Sequence, residues 1–168
     1  MDYRKGSILI VIDDHTFNPF EQTIEKVTGD GHHTANYTAM DGTITEAHFG
    51  KGVTFSHISK YHDERKRVLV LEPRMDFFTI PQIGVVVDRW LDDVGKKYDN
   101  MSAIAKKFPI MRHFVSGAKR ICSEHTAFGY NDIYKFMGKE PEDVTPNDIL
   151  RDQLYCGWRA FTPSWLIW

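Results

Sequence analysis

Ile121-Cys122-Ser123-Glu124-His125-Thr126-Ala127 decides how this chain is read, together with Gly31-His32-His33-Thr34-Ala35-Asn36-Tyr37 far upstream. The first stretch reads as a cysteine opening a helix, the second as a histidine opening a strand. A thiolate attacks where a thiol does not, and a helix N-terminus stabilises a thiolate through its unpaired backbone N–H groups. A nearby imidazole can hold the displaced proton, and the two partners need only meet in space. Polar Ser123, Glu124 and His125 behind the cysteine suit a helix start facing a cleft better than one inside a core. Cys156, the second cysteine, has no base and no capped helix start beside it, and reads as a small buried residue.

The 168 residues read as one domain, 1–168, long enough to bury a substantial core. Hydrophobic residues at 42% and charged residues at 26% fit a globular protein. A net charge of -2 gives no electrostatic case for nucleic acid as a partner, and Arg65-Lys66-Arg67 and Lys96-Lys97 read as solvated faces. No apolar run reaches the roughly 18–20 residues of a membrane span, so no integral membrane association is expected. Met1 to Gly6, leading into a short run and two aspartates, does not read as a signal peptide. Two cysteines argue against a disulfide scaffold and for a reducing compartment, so a cytoplasmic location is expected.

Ser7 to Ile12 is a continuous β-rich apolar run, expected as a buried strand. Pro19 to Val27 has the apolar spacing of a short helix. His33 to Ala39, a turn at Asp41-Gly42 and Thr43 to His48 spell a hairpin, because both turn positions tolerate positive φ. Val53 to Ile58 and Arg67 to Glu72 are two further strands. Pro81 to Val94 has helical apolar spacing with Gly95 as its stop. Asn100 to Phe108 is a candidate helix, and Cys122 to Met137 is expected as a helix kinked near Gly129. Thr145 can cap a helical turn begun by Pro146. Gly157 to Trp168 holds three of the four tryptophans, expected to pack on the body or to offer an edge to a partner.

Three histidines compete for the role of base. His32 and His33 are strand neighbours and point to opposite faces, so one of them at most faces the cysteine. His125 lies one helical turn after Cys122, where an exposed helix histidine is the ordinary reading. Glu46, on the second arm of the hairpin, can sit beside His33 and fix its tautomer; His48, two residues on, is a rival for that role. On a cross-strand pair alone, Glu46→Gln is expected to lose activity yet melt close to the parent. Metal binding by His32, His33 and His48 with an acidic residue is the weakest alternative, because adjacent strand histidines diverge and no His-x-His or Cys-x-x-Cys pair is present.

These residues fall into a familiar order. His33-Thr34-Ala35-Asn36-Tyr37, Asp41-Gly42, Thr45-Glu46-Ala47, Gly50-Lys51-Gly52-Val53 and then Cys122-Ser123-Glu124 resemble the circularly permuted NlpC-like branch of the papain fold. Lys5-Gly6-Ser7-Ile8-Leu9 fits its opening strand, Gly95-Lys96-Lys97-Tyr98-Asp99 its Gly-x-x-Tyr-Asp element and Thr145-Pro146-Asn147-Asp148-Ile149 its late Thr-Pro-x-Asp-Leu element. The resemblance runs from about residue 5 to 152. Two positions depart from it: Asn36 and His125 each stand where the pattern has an aliphatic residue.

The resemblance implies an α+β fold, with a small, mostly antiparallel sheet or half-barrel packed against the helix that carries the nucleophile. It implies Cys122 as nucleophile, His33 as base and Glu46 as the orienting group. The Cys122 backbone N–H and Tyr98 are candidate oxyanion donors, and His48 is a candidate substrate contact. The implied activity is a cysteine peptidase or amidase acting without metal or cofactor on a peptide or peptidoglycan. Relatives such as the lecithin-retinol acyltransferase group keep an acyl-lipid substrate open. The rival from another class is a non-catalytic binding module whose aromatic tail makes the contact.

Overall fold

The computed structural model describes residues 3–13, 33–48, 50–62, 66–98, 121–152 and 157–162. The helices expected over 19–27 and 100–108, His32, Cys156 and the tail after 162 lie outside them. Six strands, β1 (Ile8–Asp13), β2 (His33–Tyr37), β3 (Thr43–His48), β4 (Gly52–His57), β5 (Lys66–Pro73) and β6 (Trp158–Phe161), form one antiparallel sheet in the order β4-β3-β2-β1-β5-β6. Among the described residues three α-helices accompany it: α1 (Ile80–Asp92), α2 (Cys122–Tyr130) and α3 (Pro146–Asp152). The fold is α+β, and among the described residues no helix is long and apolar enough to cross a membrane.

β1 is apolar from Ile8 to Val11 because both faces of this stretch are covered. Ile8 and Ile10 join Leu71 under α1 and α2, packing with Val86, Trp90 and Tyr130. Leu9 and Val11 face the other way and pack with Ala35, Tyr37, Ile44, Val70 and Tyr61. Alternation along a strand thus feeds two cores at once. Trp158, on edge strand β6, stacks on Phe136 and closes the first core; the tail's first tryptophan packs on the body.

The hairpin forms where Asp41-Gly42 put it. Gly42 has φ 92, and Thr43 N donates to Asp41 Oδ1 at 2.9 Å, so the aspartate side chain shapes the turn. A Cβ on Gly42 would lie 2.5 Å from His57 Nε2, which pins the turn to the end of β4.

α1 starts with a capping box, Thr79 N donating to Gln82 Oε1 at 2.8 Å, and ends at Asp92 before Gly95. α2 is shorter than its sequence suggests. It stops at Tyr130 rather than Met137, because Asn131 leaves the helical region at ψ 142 and Asp132 takes φ 67. Arg89 of α1 accounts for the stop: its guanidinium donates to the backbone carbonyls of Gly129 and Asn131. Gly129 is a close approach rather than a kink. A Cβ there would lie 2.1 Å from Trp90 Nε1.

Candidate active site

β2 and β3 pair Asn36 with Thr45 and Tyr37 with Ile44. Continuing that register sets His48 across from His33, with Glu46 one diagonal step away. The rings of His33 and His48 are stacked, their centroids 5.2 Å apart. His33 Nε2 lies 2.9 Å from Glu46 Oε2 and His48 Nε2 lies 3.1 Å from the same oxygen. The Glu46 side chain is fully buried, whereas 21% of the His33 side chain reaches solvent.

Two further donors converge on Glu46. The Tyr61 hydroxyl donates to Oε2 and the Lys60 ammonium to Oε1. Lys60 Nζ also lies 2.9 Å from His48 Nε2. Both residues lie in the 3₁₀ turn Ile58–Tyr61 after β4, whose His57 side chain accepts from Ser59 N. Sequence reasoning missed them, because nothing in the spacing links a turn after β4 to the middle of β3. Together with the two imidazoles, an ammonium and a phenol meet the acceptor capacity of this one buried carboxylate.

Cys122 opens α2, and its side chain hydrogen-bonds the His33 ring. Ile121 offers no side-chain cap to the first turn, and Glu124 Oε2 turns back 3.3 Å from the Ile121 N–H. With Nε2 directed at Glu46, the other ring nitrogen of His33, Nδ1, is left for the sulfur. Burial by itself would lower the His33 pKa. Hydrogen bonds to Cys122 and Glu46, and the negative charge of both, outweigh burial and push it up to about 9. Burial would likewise raise the Glu46 carboxyl, but its bonds to His33 and His48 hold it below the ordinary carboxylate range. Tyr61 is driven the opposite way, well above its usual value, first by burial and then by the charges of Glu46 and Cys122.

The structure thus brings together Cys122, His33, Glu46 and His48 from the sequence reading. Tyr98 is half-buried beyond α1. His125 corrects the expectation of an exposed helix histidine. It is fully buried, with Nδ1 3.2 Å from Asp93 Oδ2 and Nε2 3.1 Å from Thr45 Oγ1. Ser123 and Glu124 are buried as well, so the polar run after Cys122 lines no open cleft. Ser123 Oγ instead donates to the Val144 carbonyl at 2.7 Å. α2 is a buried helix satisfied by partners on three sides, which amphipathic spacing cannot reveal.

His33, Glu46 and His48 present ligand atoms within 4.8 Å of one another and could in principle hold a metal ion. Lys60 already brings a positive charge to two of the three, and a second cation beside it would be repelled. No protein-family profile matches this chain, and no curated protein does.

Proposed function

We propose that this protein is a cysteine hydrolase of the permuted papain-like kind, which cuts an amide or ester bond through a thioester on Cys122. The observation that carries the reading is the unbroken hydrogen-bonded line from Cys122 through His33 to Glu46. The order of elements supports it: the histidine hairpin precedes the cysteine helix, as the resemblance to the NlpC-like branch requires.

With His33 protonated at neutral pH, the resting site is a thiolate beside an imidazolium. Cys122 Sγ forms a bond to the substrate carbonyl carbon, and the carbonyl π electrons move to oxygen. The Cys122 backbone N–H is a natural donor to that oxyanion, and Tyr98 is the candidate second donor. Collapse breaks the bond to the leaving amine or alcohol, which takes the His33 proton. Neutral His33 then removes a proton from water as it attacks the thioester, and the thiolate departs. Glu46 stays ionised throughout and holds the ring. Peptide, peptidoglycan and acyl-lipid substrates all fit this chemistry.

The reading is tested with an acyloxymethyl ketone carrying a fluorophore, followed by mapping of the labelled residue. Label on Cys122, lost in Cys122→Ala and weakened in His33→Ala, supports it. Equal labelling of Cys156, or none at Cys122, rejects it and favours the non-catalytic binding module.

A further inference from the structure

Two buried polar side chains on α2 reach the strands that hold the proposed base and its carboxylate. Thr126 Oγ1 lies 3.0 Å from Thr34 Oγ1 and 2.8 Å from Asn36 Oδ1. Thr34 directly follows His33 in β2. His125 Nε2 lies 3.1 Å from the Oγ1 of Thr45, the residue before Glu46 in β3. On its other side His125 Nδ1 meets Asp93, whose second oxygen takes the Lys96 ammonium. His125, Thr126, Thr34, Asn36, Thr45 and Asp93 are all fully buried.

Apolar packing of a helix on a sheet tolerates small slides and rotations. Hydrogen bonds do not, since they fail within a few tenths of an ångström and leave buried donors and acceptors unpaired. The bridges anchor α2 at neighbours of His33 and Glu46 themselves, so a slip of the helix that carried the thiol off the imidazole would have to break them too. His125 and Asn36 are also the two departures from the family pattern noted above. Asn36 Oδ1 meets Thr126 of α2 and His125 Nε2 meets Thr45 of β3, so the two departures belong to one interface, although the buried Asn36 Nδ2 finds no hydrogen-bond partner among the described residues.

We infer that the His125–Thr45 and Thr126–Thr34/Asn36 bridges are a positioning device, which registers the nucleophile helix on the base-bearing hairpin and holds Cys122 against His33. His125 and Thr126 are positioning residues that touch no substrate. The inference rests on the hydrolase reading, and the experiment separates the two.

Iodoacetamide alkylation of Cys122 is followed by mass spectrometry on the full chain, at pH 7 and at pH 10. The parent should react at pH 7 much faster than an ordinary thiol. Thr126→Val and His125→Leu, still unfolding cooperatively, should react about tenfold or more slowly at pH 7. The deficit should narrow at pH 10, where an ordinary thiol is ionised without help from an imidazole. Thr126→Ser, which keeps the hydroxyl, should restore the parent rate to within about twofold, an outcome that packing alone would not produce. If Thr126→Val does not fold, Thr34→Val removes the same contact from the strand side. Valine and leucine variants that are folded and as fast as the parent at pH 7 would overturn the positioning role while leaving the hydrolase reading intact. A Thr126→Ser protein as slow as Thr126→Val would overturn it too. A parent Cys122 that behaves as an ordinary thiol would overturn the hydrolase reading itself, before any substitution is made.

Discussion

His33 Nε2 and Glu46 Oε2 stand 2.9 Å apart across the β2–β3 hairpin, and that carboxylate also receives His48, Lys60 and Tyr61. One buried charge therefore serves four donors. Glu46→Gln should cost on the order of 10⁴ in turnover, because the amide can present its N–H where His33 needs an acceptor. It should also destabilise the fold, contrary to what a cross-strand pair alone suggests. Loss of a buried charged acceptor should cost about 1–3 kcal/mol in urea unfolding, the exposed third of Lys60 allowing its ammonium to turn to water. Full activity in Glu46→Gln together with an inactive His48→Ala would reassign the orienting role to His48.

His33 should titrate near 9 when its ring resonances are followed by NMR. Cys122→Ala removes a hydrogen bond and a charge that raise this value, so the midpoint should fall in that variant. The sign for stability follows. An unfolded histidine releases its proton near 6.5, whereas the folded protein keeps it until about 9. The contribution of His33 to stability is therefore complete below about 6.5 and is lost as pH rises through 9. A His33 midpoint at or below 6.5 would contradict the ion pair.

Lys60 should bar divalent metal from the two histidines and Glu46. Zinc added to the parent should leave the melting temperature unchanged. Lys60→Met keeps the apolar stem and removes the charge, so zinc should then raise the melting temperature, with an affinity that drops in His48→Ala. Zinc stabilisation of the parent as large as that of Lys60→Met would revive the metal reading.

Gly129→Ala should destabilise by about 1–3 kcal/mol although alanine is the better helix former. The new methyl would press on the Trp90 ring, whose Nε1 donates to the Thr126 carbonyl at 3.2 Å. Denaturant unfolding measures the effect, and a neutral or stabilising result would mean that α1 and α2 can separate without cost.

Much of the scaffold was legible along the chain. The run Ile8 to Val11 announced a buried strand, Asp41-Gly42 announced the hairpin, and Pro81 and Gly95 bracketed α1, because each signal acts within a few residues. Cys122 and Glu46 could be nominated from residue type and hairpin placement, whereas alternation left either His32 or His33 and the resemblance to the NlpC-like pattern chose His33. Other features were set by groups distant in sequence. The end of α2 depends on Arg89, 40 residues before Gly129, and the burial of His125 depends on Asp93 and Thr45. Lys60 and Tyr61 reach Glu46 only because β4 pairs with β3 and returns the following turn over the carboxylate. Local sequence determines which backbone shapes are cheap. Which buried charge meets which donor is decided only when the elements pack, since a polar group's partner is fixed by position in space and leaves no periodic trace in the chain.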